Sequence, residues 1–425
     1  MEKKENKILV IYVLFVLLAE MVHILLDGAP PMYMRLGYIG VHLLFCLFNI
    51  RLIPIFVSVS MIMQNFSLVF GEFLPSTIYF NVALMGYCYL QLRRGQSNDR
   101  NNFPDKSNQY NTMLLFAFYI LLNAIVYPNF TFFCNLLFSF IFLACICRLE
   151  DSYLETLVKY IIVTMALSSL LCLLNLDKTV VDYATSQGSV QRLAWKDSNY
   201  TSFFIGIITL MALCYASNTT NTKKRNWYYI IAFLLVICLC LLISRGSIIS
   251  LAIACIFYFR RTIFSSKIIG YGLLLVVLTF FLYDTGLFDG IIDRFNSEDL
   301  KDGSGRTKIW ETGLVTFGSK GLLTIMLGEG VGAANQMALL GGIYFSPHNN
   351  FLEFLYNFGM IGLILFILWW VMLYVGSSDE KKAMIIFIMA NCMTVCPFIY
   401  VQPIWIVVPL IMIWDSRINK LIHES

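Results

Sequence analysis

The sequence predicts an all-α integral membrane protein, a polytopic bundle of about 12–14 transmembrane helices with a large extracytoplasmic loop carrying short interfacial helices. Three observations carry this expectation. The 425 residues are 59% hydrophobic and 13% charged, with a mean hydropathy of +0.74, far more apolar than the roughly 45–50% of a soluble domain. Apolar stretches run for about 15 to 25 residues with few charges, the length that crosses a hydrocarbon core as helix. Runs such as 230–243 are apolar on every face, whereas a membrane β-barrel needs segments of about ten residues that alternate apolar and polar.

The first apolar run, Ile8 to Leu26, follows Lys3, Lys4 and Lys7. It lacks a small-residue cleavage site and is too long for a signal-peptide core, so it reads as a retained first helix. Further spans begin near Leu36, Leu52, Ser76, Thr112, Phe130, Glu155, Tyr200, Trp227, Ser247, Ile268, Asn349, Ala383 and Gln402. The polar stretch from Arg93 to Asn111 reads as a solvated loop, and residues 1–425 as one polytopic domain. With the N-terminus in the cytoplasm, about two thirds of the Lys and Arg residues fall on the cytoplasmic side, as the positive-inside rule requires. Both termini then come out cytoplasmic. The twelve cysteines lie mostly inside apolar runs; Cys145 and Cys147, two apart, face different sides of a helix and read as small packing residues, without paired metal spacing.

Two long segments fall outside, 177–199 and 285–348, the second far longer than the usual connection of about two to eight residues between bundle helices. They hold Arg192, Lys196, Arg294, Arg306 and Lys308, and Arg245 ends a span on the same side. Ordinary surface charge is the plain reading of each. A bound anion is the simplest reason for keeping cations where the rule disfavours them.

Four constellations stand out on that side. The first runs from Arg192 through Trp195, Lys196, Asp197 and Ser198 to Asn199, offering charge-assisted donors to phosphate and acceptors to sugar hydroxyls. The second, Ser244-Arg245-Gly246-Ser247, joins two apolar runs; snorkelling explains the Arg, but not a Gly that admits another backbone or ligand. The third, from Gly303 to Trp310, lets Ser304 or Gly305 cap a short helix with Ile309, Trp310, Leu314 and Phe317 on its apolar side, lying in the interface plane with Arg306 toward a headgroup. In the fourth, Gly328-Glu-Gly-Val-Gly332 precedes Ser346-Pro-His-Asn-Asn-Phe-Leu-Glu353. Ser346 as N-cap and Pro347 at the first helical position would place His348 in the first turn of a helix beside the Gly-rich loop, its free N–H groups toward the outside.

Arginines and a helix N-terminus bind anions, and a neutral imidazole can take a proton. Those are the parts that transfer of a sugar from a diphosphate to a hydroxyl requires. No Asp-x-Asp pair stands in the outer loops, since Leu300 and Lys301 separate Asp299 from Asp302; no metal, nucleotide donor or other cofactor is expected.

The Ser-Arg-Gly span end, the Gly-Arg-x-x-x-Trp, the Gly-Glu-Gly-x-Gly and the Pro-His-Asn-x-x-Leu-Glu with its later Phe-Gly-x-x-Gly-Leu resemble the O-antigen polymerase and O-antigen ligase family. The likeness runs from about Gln191 to Leu363, with Ser198 where the family's Asp-Pro-Asn stretch has Pro. It implies a multi-pass glycosyltransferase of the bacterial cytoplasmic membrane. Its substrate would be undecaprenyl-diphosphate-linked oligosaccharide at the outer face. By analogy, Arg192, Arg245 and Arg306 face the diphosphate with Lys196 and Asn199 nearby, His348 activates the acceptor hydroxyl, and Asn349 and Glu353 support it. Membrane lipid, a chain-length regulator and a flippase are the expected partners, and nucleic acid is not.

Polymerisation of repeat units into O-antigen or capsule is the favoured activity. The alternatives are a ligase that moves the glycan to another acceptor and a non-enzymatic transporter of the same lipid-linked oligosaccharide. Transporters place ionisable residues near the bilayer midplane, whereas here they gather on one face.

Overall fold

The computed structural model describes residues 3–26, 31–63, 74–94, 107–175, 180–185, 188–193, 198–261, 306–340, 342–400 and 403–424. Within them the chain is an all-α polytopic membrane protein. Its helices are α1 (Lys3–Leu26), α2 (Met32–Phe48), α3 (Ile53–Met63), α4 (Leu74–Arg94), α5 (Ser107–Val126), α6 (Thr131–Ile146) and α7 (Asp151–Leu173). There follow α8 (Ser198–Asn218), α9 (Thr222–Leu241), α10 (Arg245–Phe259), α11 (Arg306–Gly318), α12 (Leu322–Leu327), α13 (Asn350–Tyr374), α14 (Asp379–Cys392), α15 (Pro397–Tyr400), α16 (Ile404–Met412) and α17 (Asn419–Glu424). Every expected span falls on one of these except that near Ile268, which lies outside the described residues, as do Lys196, Arg294, Ser304 and Gly305. Five described helices are long and apolar enough to cross a membrane.

The helices sort by how their apolar residues are used. In α8, Phe203, Phe204, Ile205, Ile207, Ile208, Leu210 and Met211 are all fully buried, so it is apolar all round and sits at the centre. In α5, Phe116 and Ile120 face inward while Leu114, Leu115, Phe118, Leu122, Ile125 and Val126 are exposed. Such a bare stripe suits lipid and not water. An aromatic cluster ties α5, α6, α13 and α16 together: Phe354 stacks on Phe366 at 4.2 Å between centroids, and Phe132 meets Trp405 edge-on at 5.5 Å. At the end of α10 opposite Arg245, Arg260 donates to Asp379 at 2.8 Å at the polar start of α14.

Two short hairpins interrupt the helical pattern. Strands β1 (Val180–Thr185) and β2 (Gly188–Leu193) pair antiparallel between α7 and α8, and β3 (Ala338–Leu340) with β4 (Ile343–Phe345) between α12 and α13. The sequence reading held neither.

Helix α13 is broken inside its span. Gly359 has φ 65° and ψ −172°, a backbone region open essentially only to glycine. The break frees peptide groups at membrane depth, which hydrocarbon cannot satisfy. The chain around Gly328 satisfies them: Glu329 N–H donates to Tyr356 O at 3.0 Å and Gly330 N–H to Asn357 O at 2.9 Å. Gly328 shares the unusual conformation, with φ 76° and ψ −170°. A Cβ on Gly359 would fall 2.4 Å from the Met326 carbonyl, and one on Gly328 2.4 Å from the Asn357 carbonyl oxygen. Helix α5 completes the joint. Tyr119 donates to Phe358 O at 2.6 Å and Leu327 O at 3.2 Å, Asn123 to Leu327 O at 3.1 Å, and Tyr127 to Gly328 O at 3.1 Å.

Candidate functional site

The site grows from helix starts. Helix α10 begins at Arg245 without a side-chain cap from Ser244; the Ser244 hydroxyl instead reaches Asn199 Oδ1 on α8 at 3.3 Å. One turn in, the Ser247 hydroxyl lies 2.8 Å from that of Ser202 and 3.3 Å from Asn391 Oδ1. Gly246 is glycine because Thr394 occupies the space: a Cβ there would fall 2.3 Å from Thr394 Oγ1. The same Thr394 offers its carbonyl to Arg306 Nη1 at 2.9 Å. Two residues on, the Cys396 thiol lies against the Glu353 carboxyl and the backbone of Asn349. The turn after α14 thus joins Asn199, Ser244–Ser247, Arg306 and Glu353, which sequence separates by up to 154 positions (353 − 199).

The start of α13 departs from expectation. Asn349, not Ser346, is the N-cap; its side-chain oxygen accepts from Phe351 N at 3.0 Å and Leu352 N at 3.2 Å. The helix begins at Asn350, so Pro347 and His348 stand outside it. The cause is local. The Pro347 carbonyl is held by the Trp310 indole at 2.7 Å, and His348 turns into the left-handed region at φ 45°, which a helix does not admit. His348 is exposed, with Nε2 3.5 Å from the Ser346 hydroxyl, while Asn349, Asn350 and Glu353 are buried.

The Gly-rich loop packs into the break at Gly359. Leu314 stands off the packed face of α11, being 46% exposed while Ile309 and Phe317 are buried. That face packs on Met337 and Tyr356, and the Tyr356 hydroxyl donates to Gly313 O and Met337 O. Arg192 occupies β2 opposite Val181.

Among the described residues, two that are not glycine have positive φ, Ile243 at 55° and His348 at 45°. Each stands two residues ahead of a helix start, Arg245 or Asn350. Such conformations cost of order 1–3 kcal/mol and collect at functional sites. Sequence reasoning missed the joining turn, although Asn391 and Thr394 are polar residues closing an apolar run, which is a usable signal. It also missed Tyr119 and Asn123, whose spacing of four puts them on one face of α5, and Tyr127 just past its end.

Residues 230–367 match the family model described as O-antigen ligase. Over that stretch the chain is similar to the O-antigen ligase family. The stretch contains Arg245, Arg306, His348, Asn349 and Glu353 and begins after Arg192, Lys196 and Asn199. It also contains both halves of the Gly328–Gly359 joint. No curated protein matches the chain. The likeness to the O-antigen ligase model over this region, together with five described helices long and apolar enough to cross a membrane, agrees with a multi-pass membrane protein.

Proposed function

We propose that the chain polymerises undecaprenyl-diphosphate-linked oligosaccharide repeat units into a surface polysaccharide at the outer face of the cytoplasmic membrane, without a metal. One observation carries this reading: the turn at 391–396 draws Asn199, the Ser244–Ser247 helix start, Arg306 and Glu353 to one end of the bundle. In the proposed reaction a hydroxyl oxygen of one repeat unit attacks the anomeric carbon of another. The bond from that carbon to the diphosphate breaks, and the diphosphate leaves with the electron pair. Arg245 and Arg306, with Arg192 and Lys196 from the first outer segment, stabilise its charge. His348 takes the hydroxyl proton.

The test is reconstitution of the purified protein in liposomes with lipid-linked repeat units. Longer lipid-linked glycans should appear together with one undecaprenyl diphosphate per added unit. Transfer only after a different acceptor is supplied would make the chain a ligase. Movement of the substrate across the bilayer without new glycosidic bonds would make it a transporter.

A further inference from the structure

Between Lys320 and Gly330 the chain leaves the outer segment and inserts beside α13. Lys320 pairs with Glu329, and its Nζ lies 5.3 Å from the centroid of the Tyr356 ring. The pair closes a neck, and the residues between are Gly-Leu-Leu-Thr-Ile-Met-Leu-Gly, without a charge. Leu322 is 77% exposed and Leu323 74%.

The depth of the segment follows from its partners. Gly328 meets α13 at Asn357–Gly359, nine residues after the first residue of that helix (359 − 350), or roughly 14 Å along its axis at about 1.5 Å per residue. Helix α13 has 25 residues, roughly 37 Å at about 1.5 Å per residue, against a hydrocarbon core of about 30 Å, so even with all of the excess at its start the joint at Gly359 falls inside the core. Irregular backbone is tolerated there only when its polar groups are satisfied. The carbonyls of Leu327 and Gly328 accept from Tyr119, Asn123 and Tyr127, and the N–H groups of Gly328, Glu329 and Gly330 all donate. The bare side chains of α12 also continue a surface already facing lipid, because Asn123 is flanked on α5 by exposed Leu122, Ile125 and Val126.

We propose that residues 320–330 form a re-entrant pin whose Leu322, Leu323 and Met326 side chains lie among the acyl chains of the leaflet on the Arg306 side. This placement rests on the membrane-spanning fold and is independent of the glycosyl-transfer reading.

The test places a spin label at Leu323→Cys in the full-length protein, with its native cysteines replaced, in phospholipid nanodiscs. Oxygen concentrates in hydrocarbon and a water-soluble nickel chelate does not. The label should respond as one at Ile364→Cys on the exposed face of α13, accessible to oxygen and shielded from nickel. A label at Glu311→Cys, on the exposed face of α11, should do the reverse. Nickel access at 323 equal to that at 311 would overturn the placement, and shielding from both reagents would overturn it in favour of a protein cover. A second measurement uses the unmodified protein: an apolar aryl diazirine dissolved in phosphatidylethanolamine and phosphatidylglycerol liposomes should leave photoadducts on the peptide containing 322–327. Absence of adducts there, with adducts on α5, would likewise reject the pin.

Discussion

The Trp310 indole donates to the Pro347 carbonyl at 2.7 Å across 37 residues of sequence. That bond fixes the backbone immediately before His348 and ties the helix that starts at Arg306 to the start of α13. Trp310→Phe keeps an aromatic ring and removes the donor. A hydrogen bond of this kind contributes about 0.5–1.5 kcal/mol, too little to unfold the protein. The variant should reach the membrane at normal levels and lose kcat more than KM in the liposome assay. Equal loss in kcat and kcat/KM with unchanged KM fits that expectation; wild-type kcat refutes it.

Arg245 and Arg306 are expected to act as forks and not merely as charges. Arg306 already gives one N–H to Thr394 O, so only a guanidinium can hold that carbonyl and still present paired donors to phosphate. Arg306→Lys and Arg245→Lys should each lose most polymer while inserting normally. The check is polymer amount and length at matched protein level, and wild-type values for both variants would remove the diphosphate role.

For His348, loss of a general base typically costs about 10² to 10⁴ in rate. His348→Gln retains hydrogen bonding but takes up no proton. Turnover followed against pH should show a titrating limb in the wild type that vanishes in His348→Gln along with most of the activity. Near-normal turnover by the Gln variant would leave His348 a positioning residue only.

Gly359→Ala and Gly328→Ala test the break in α13. Each puts a side chain where φ is positive and where a carbonyl lies 2.4 Å from the new Cβ. Strain of this kind costs about 1–3 kcal/mol before any clash is added. Both variants should melt at lower temperature in detergent than the wild type, whereas Gly318→Ala, with open space at its Cβ, should not.

At the other end of the bundle, the Arg260 guanidinium hydrogen-bonded to Asp379 holds its carboxyl below the usual carboxylate range. A depressed folded-state pKa gives stability that is present above the unfolded value, near 3.9, and lost as pH falls through the folded one. Asp379→Asn should therefore reduce melting temperature at neutral pH and narrow its gap to the wild type below about pH 4. A gap constant with pH would mean that the ion pair contributes nothing.

The fold was legible because its cause is composition. Length and polarity of apolar runs locate membrane helices, since lipid imposes one solution on the backbone. The residues of the candidate site stand out in the sequence one by one, but the arrangement that groups them does not. Arg245, Arg306 and Glu353 announce themselves as polar groups in an apolar chain, yet what gathers them is the carbonyl of Thr394, the space above Gly246 and the thiol of Cys396, and tertiary contacts of this kind carry no local sequence signal. The cap at Asn349 was misplaced because Ser346-Pro347 is also a good helix start. The Trp310 bond to Pro347 decided between them, and a contact over 37 positions is invisible to local spacing.

The joint at Gly359 has a consequence for how the protein is made. Synthesis runs from the N-terminus, so α5 with Tyr119 and Asn123 comes first, the stretch around Gly328 next and α13 last. The socket is thus complete before the interrupted helix leaves the ribosome. A chain that lost the earlier pieces would deliver α13 to the insertion machinery with exposed peptide groups in mid-segment. The order of the genetic message doubles as an assembly sequence, and a circular permutation that moved residues 107–330 behind 374 would reverse it.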